Sequence, residues 1–210
     1  YESSDVAIIK EGTEFNKNSF FIGPGTGLGA ALLTGDNNVI PTEIGNTTGL
    51  TKALLKNYSI DSTDHFRTLE DVLSGKAISD IYEYKTGLRL SSEDIVQRYG
   101  SEDEMANFVI DGFIKSLAET VSDMALTFIA GKGIYIAGGL IIPAPNHEGV
   151  LQQAALLEIL HQRPGRLIDF LRLTGDVFRQ VAMLVPSPME NLDKAHITLR
   201  HAAGHETVVT

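Results

Sequence analysis

The segment Gly23-Pro-Gly-Thr-Gly-Leu-Gly29 holds the residues whose types and spacing are best suited to chemistry. Glycines are costly to order and pack nothing, so four of them in seven residues point to positive φ and to close approach of the backbone to something else. Phosphate oxygens are the usual visitor to a concave row of amides, here with the Thr26 hydroxyl in reach. A dinucleotide fingerprint fits poorly, because the third glycine spacing fails and Ala30-Ala-Leu-Leu33 behind it is strand-like. A Walker-type loop needs Gly-Lys-Ser/Thr, which the segment lacks. A tight hairpin that binds nothing stays open as the plain alternative.

The elements that position this loop can be sketched from pattern. Ser19 to Ile22 enters it as a strand, Ala30 to Leu33 leaves it as another, and Gly35-Asp-Asn-Asn38 turns the chain toward Val39-Ile40. Residues 68–87 read as a helix in two pieces: Thr68 and Asp71 have capping-box spacing, Ser74-Gly75 interrupts, and Gly87 closes the second piece. Ser101 and Glu104 predict the start of a longer helix of about six turns. Its stripe runs through Met105, Phe108, Val109, Gly112, Phe113, Leu117, Val121, Met124, Ala125 and Phe128 to an end near Gly131. Ile134 to Ala137 is a short buried strand running into Gly138-Gly139. Beyond it, 151–160 and 167–173 read as helical and 181–185 as a strand.

Composition narrows the classes. The 210 residues contain no Cys, which removes disulfides, Cys-type zinc sites and thiol catalysis. With 17 Lys+Arg against 27 Asp+Glu, the net charge of −10 argues against nucleic acid or an acidic membrane as partner. No apolar run approaches the ~18 residues that span a bilayer. His201 and His205 have a spacing that could place two imidazoles together for a metal, but Gly204 intervenes and a loose tail reads better, so no metal site is assigned. Asp61-Ser-Thr-Asp64 resembles the start of a helix more than a cation loop.

Four segments in order resemble bacterial-type glucokinase, of the hexokinase/actin/Hsp70 superfamily. They are the glycine loop with Pro41-Thr-Glu-Ile-Gly-Asn46, Thr68-Leu-Glu-Asp-Val-Leu-Ser-Gly75 with Ile81-Tyr82, the long amphipathic helix, and Gly133-Ile-Tyr-Ile-Ala-Gly-Gly139. The resemblance covers residues 19 to about 142 and implies a ribonuclease H-like α/β large domain, a mixed sheet flanked by helices. It implies residues 1–145 as the part bearing sugar and ATP motifs and 146–210 as a divergent continuation of the same domain. Glu43 and Glu70 would stand at the family's sugar-binding carboxylates, accepting hydrogen bonds from hydroxyls of glucose or a related hexose. Glu70 would be helped by a place in the first turn of a helix, where dipole and free amides favour a carboxylate. A loop acid at 43 and a helix-capping acid at 70 are the alternatives. Gly23, Gly25, Thr26 and Gly27 would approach the phosphates of ATP·Mg²⁺, and Gly138 and Gly139 would form the platform for its adenosine.

Asn46 stands where the family usually has His, which puts sugar identity in doubt more than reaction type. After Pro143 the resemblance thins, and Asp193 to Ala203 lies where a glycine-rich stretch is expected. The family's Asp-x-Gly-Gly phosphate loop and the Asn-Asp-Phe segment with its general-base Asp do not occur and would precede residue 1; Asp5 has no matching context. The expectation is therefore a C-terminal portion of an ATP-dependent glucokinase, lacking the small N-terminal domain and any catalytic residue of its own, and inactive alone. It would be cytoplasmic, with a homodimer as one assembly it allows. The alternatives are a non-catalytic sugar- or nucleotide-binding protein of the same fold, or a kinase for another hexose.

Overall fold

The computed structural model describes residues 6–10, 14–61, 63–138, 140, 181–184, 197–200 and 206–209. Its main feature is a six-stranded mixed sheet in the order β1-β6-β5-β2-β3-β4. The strands are β1 (Val6–Lys10), β2 (Ser19–Pro24), β3 (Leu28–Leu33), β4 (Val39–Thr42), β5 (Gly133–Ile136) and β6 (Val181–Leu184). β2, β3 and β4 form an antiparallel meander, while β5 pairs parallel with both β2 and β6. β1 closes the far side antiparallel to β6. A separate antiparallel pair joins β7 (Ile197–Arg200) and β8 (Glu206–Val209). The expected helices at 151–160 and 167–173 lie outside the described residues.

A parallel β2–β5 pair requires a long crossover. It is filled by α1 (Thr51–Leu54), α2 (Gly75–Thr86), α3 (Ser92–Gln97) and α4 (Glu104–Phe128). Period-two alternation sends Phe20, Ile22, Leu28, Ala30, Ile134 and Ile136 into one core with the helices. Phe20 stacks on Phe128 of α4 at 4.8 Å between ring centres. Phe21 and Tyr135, on the opposite face, stack on each other at the same spacing. The α4 stripe is the core face the sequence predicts, with Val109, Phe113, Leu117 and Val121 buried. Gly112 is where Tyr58 passes: a Cβ there would lie 2.5 Å from its ring. Burial raises the Tyr58 phenol well above its ordinary pKa, and its hydroxyl donates to the Val72 carbonyl.

Three boundaries differ from expectation. α4 is capped by Asp103, which accepts from the Ala106 amide, and not by Ser101, whose hydroxyl instead accepts from the Asp103 amide. It ends at Ile129 in the left-handed conformation rather than at Gly131. Most consequentially, residues 68–74 are turns and not a helix: Ser74-Gly75 begins α2, with extended Ser74 accepting from the Ala77 amide. The Thr68/Asp71 spacing does form its bonds, but the Asp71 carboxylate gathers the amides of Arg67 and Thr68 into a tight turn. Gly87 closes α2 as expected, at φ 74°.

Candidate functional site

The glycine loop folds as the tip of the β2–β3 hairpin. Gly23 and Gly29 face each other in the ladder, so only Gly25, Thr26 and Gly27 remain as loop. The Gly25 amide turns inward to the Gly27 carbonyl at 2.8 Å, and the Leu28 amide donates to Glu70 Oε2 at 2.8 Å. Among the described residues, no partner takes the amides of Thr26 and Gly27 or the exposed Thr26 hydroxyl. The row of amides expected from sequence therefore contracts to two, with the hydroxyl beside them.

The hairpin is docked on the start of α2. The Gly75 amide donates to the Gly25 carbonyl at 2.7 Å and the Lys76 amide to the Thr26 carbonyl at 3.4 Å. With the Ala77 amide taken by Ser74 Oγ, the free donors that a helix N-terminus normally offers an anion are already engaged. The end of β5 meets the hairpin from the other side. Ala137 donates to the Ile22 carbonyl at 2.9 Å, and Gly138, at φ 127°, passes so close that a Cβ would lie 2.5 Å from the Pro24 carbonyl oxygen. Gly139 lies outside the described residues, as do His201 and His205.

Glu70 does not sit in the first turn of a helix, contrary to expectation, because the Asp71 turn delays the helix to Gly75. Its carboxylate is half-buried and held by the hairpin instead. One oxygen accepts from Leu28, and a Cβ on Gly27 would lie 2.6 Å from that same atom. The Glu70 amide donates to the Gly45 carbonyl at 2.8 Å, and the Leu69 amide to Thr47 at 2.8 Å. Gly45 belongs to a short 3₁₀ turn, Ile44–Asn46, whose N-cap is Glu43. The structure thus gathers Glu43, Asn46 and Glu70 around Gly45. Glu43 is exposed, and the Asn46 side-chain amide donates to its Oε2 at 3.0 Å, fixing one carboxylate oxygen and leaving the other open.

Burial pushes the Asp71 carboxyl up, but the amides of Thr68 and Arg67 outweigh this and hold it below the ordinary aspartate value. Lys76 pairs with Asp80, which Arg89 also holds at 2.6 Å. No group of three or more His, Asp or Glu among the described residues could hold a metal ion. Mg²⁺ ordinarily arrives with nucleotide phosphates and keeps several waters, so such a cluster is not a requirement for it. No helix among the described residues is long and apolar enough to cross a membrane. Sequence reasoning missed the Leu28 amide and the docking of the hairpin on α2. Both rest on backbone amides that meet segments over forty residues away, with Leu28 and the Glu70 carboxylate separated by 42.

A family model described as Glucokinase matches residues 1–173. A glucokinase-like protein of Xylella fastidiosa is 30% identical over 170 residues, covering 70% of this chain and 50% of that protein. A glucokinase of Helicobacter pylori is 30% identical over 149 residues, covering 61% of this chain and 44% of that one. The chain spans about half the length of the curated relatives it matches. Among solved structures, glucokinase from an Antarctic psychrotroph superposes with a TM-score of 0.65 at 26% identity, over 89% of this chain and 60% of the other. Glucokinase of Leishmania braziliensis gives 0.64 at 16% identity, over 88% and 55%, and so speaks to fold alone. The fold is that of the hexokinase group, a ribonuclease H-like mixed sheet flanked by helices.

Proposed function

The chain belongs to the glucokinase family, and from that premise we propose that it carries the sugar and nucleotide sites of an ATP-dependent hexokinase acting on glucose. The observation that carries this reading is the convergence of Glu43 and Glu70 on Gly45, directly beneath the hairpin that presents the Thr26 and Gly27 amides. Two carboxylates with one open oxygen each suit a polyhydroxyl ligand, because each accepts from a hydroxyl in a charge-assisted bond worth about 1.5–3 kcal/mol. The hairpin amides and the Thr26 hydroxyl suit phosphate oxygens.

In the proposed reaction the hexose is fixed by Glu43 and Glu70 with its 6-hydroxyl toward the hairpin. That oxygen bonds to the γ-phosphorus and its proton is released as the β–γ bridge breaks, leaving ADP and the 6-phosphate. Mg²⁺ neutralises the phosphate charge when bound. This chain's residues contribute mainly position, which accounts for much of catalysis in phosphoryl transfer. The general base is assigned to none of the described residues. Asn46, through its bond to Glu43, sets the carboxylate that meets the sugar and is the residue through which a different hexose would be preferred.

Calorimetric titration with glucose, and separately with ATP·Mg²⁺, tests the two sites on the chain itself. A coupled assay on this chain beside one carrying the additional length of its relatives tests the reaction. Turnover of glucose by the longer chain supports the proposal. Binding without turnover in either supports a non-catalytic binding protein, and turnover of another hexose in preference to glucose reassigns the substrate.

A further inference from the structure

Glu70 has two oxygens in two different circumstances. Oε2 accepts from the Leu28 amide at 2.8 Å, while Oε1 has no partner among the described residues. The space around Oε2 is made by glycines: a Cβ on Gly27 would lie 2.6 Å from it and 3.2 Å from the carboxyl carbon, and one on Gly45 would lie 3.4 Å from it. Leu28 is the first residue of β3 and is buried, so its amide is the point where the loop rejoins the sheet. The other limb of the loop is held by the Gly75 amide on the Gly25 carbonyl. Both holds come from one short segment, residues 70–75, and Glu70 supplies the only side chain in either of them.

We propose that Glu70 is a positioning residue for the β2–β3 hairpin, bracing the phosphate-facing loop through the Leu28 amide with one oxygen while the other faces the sugar. The role attached to the loop rests on the function proposed above; the brace itself does not. A carboxylate accepting from an amide gives a shorter, stronger bond than a neutral acceptor, and removing it leaves a part-buried donor without a partner. A glutamine keeps a carbonyl oxygen of the same shape and can keep the brace, though it changes what the sugar meets. An alanine keeps neither.

Hydrogen exchange of the Leu28 amide in the 210-residue chain reads the brace directly. Glu70→Ala should speed it at least tenfold and weaken ATP·Mg²⁺ binding at least fivefold. Glu70→Gln should leave both within about twofold of the starting chain while weakening glucose. Amides of α4 report that the fold is intact. Should Glu70→Ala fail to fold, Gly27→Ala displaces the same carboxylate oxygen and should give the same fast Leu28 exchange. Leu28 exchange unchanged in Glu70→Ala and Gly27→Ala overturns the proposal, as does fast exchange with unaltered nucleotide affinity. If the starting chain binds neither glucose nor ATP, the hexokinase reading fails, and the exchange comparison alone still decides the brace.

Discussion

At the ends of β2 and β5 that carry the hairpin, main chain mostly meets main chain, with the Glu70 carboxylate added at Leu28. At their other ends, by contrast, asparagine side chains add to the backbone bonds from Phe15 to Gly131 and from Lys132 to Asn18. Around the hairpin, the Gly75 amide donates to the Gly25 carbonyl and the Ala137 amide to the Ile22 carbonyl, and Gly138 passes against the Pro24 carbonyl. At the opposite end, Asn16 donates to the Ile129 carbonyl at 2.7 Å and accepts from the amides of Asn18 and Gly131. Asn18 accepts from the Gly35 amide at 3.1 Å, tying the β3–β4 turn to the same corner. A site that must admit a ligand between backbones has little room for side chains. An end that only needs to be closed can use them, and side chains can yield when a neighbour changes.

The sharpest way to break this comparison is to add one methyl group at each end. A Cβ on Gly138 would lie 2.5 Å from a backbone oxygen at a φ of 127° that side chains rarely adopt, while one on Gly131 would lie 2.4 Å from the Phe15 ring. The distances match, but the obstacles do not, since Phe15 is 39% exposed and its ring can rotate aside. Gly138→Ala should lower stability by about 3 kcal/mol in urea unfolding, combining strain with overpacking. Gly131→Ala should cost about 1 kcal/mol, the low end of overpacking. Equal losses would show that both ends are equally rigid.

Removing the side chain that closes the far end comes next. Asn16→Ala deletes three hydrogen bonds at a half-buried position and should cost about 2 kcal/mol, counting about 0.5–1.5 for each and discounting for exposure. Nucleotide binding should be unaffected, because these contacts lie at the other end of the strands. Calorimetry on the folded variant checks that separation.

The two ends were not equally legible. The hairpin end announces itself because Gly23, Gly25, Gly27 and Gly138 stand out in sequence. The positive φ expected of the loop glycines is nevertheless found at none of the first three. Of the four, only Gly138 has it, and only Gly27 and Gly138 lie too close to a neighbour for a Cβ. Asn16 is invisible in sequence: asparagine is ordinary in loops, and two of its three partners lie 113 and 115 residues away. The strand β2, the turn at 35–38, β5 and the stripe of α4 follow from periodicity, which is local. The start of α2 does not. The Thr68/Asp71 pair makes the bonds its spacing promises, but a capping pattern specifies only its own turn, and the helix begins where Ser74 caps and Gly25 takes the first amide. Glu70 was thus identifiable as a residue while its surroundings, fixed by Leu28 across 42 positions, were not.

Asp71, like Glu70, is a side chain at work at the hairpin end, where it shapes the turn bearing Glu70. Its carboxylate accepts from Arg67 and Thr68 at 3.0 and 2.9 Å. Its folded pKa lies below the unfolded value of about 3.9, so its contribution is fully present above that value and is lost as pH falls through the folded pKa. Asp71→Ala should cost about 1–2 kcal/mol near neutral pH, and the gap to the unaltered chain should close on acidification below about pH 4. A gap that stays constant to pH 2 would show that the carboxylate's charge contributes nothing to the turn.

The smallest expected effect is a gain, and it lies at the end that side chains close. Ile129 ends α4 at φ 48° and ψ 53°, a left-handed conformation that a β-branched residue adopts at a cost of about 1–2 kcal/mol. Its side chain is 49% exposed, so little burial offsets that cost. The bonds holding the conformation come from the backbone and from Asn16: the Ile129 amide donates to Ala125, and its carbonyl accepts from Asn16 and from the Gly131 amide. None of them needs the isoleucine side chain. Ile129→Gly should therefore raise stability by roughly 0.5–1 kcal/mol, the relief of strain less the burial lost and the extra freedom of glycine when unfolded. In Asn16→Ala the gain should shrink, because the left-handed turn is then less firmly imposed and less strain remains to relieve. A double-mutant cycle over positions 16 and 129 measures that coupling, and strictly additive effects would mean that Asn16 does not hold the strained turn in place.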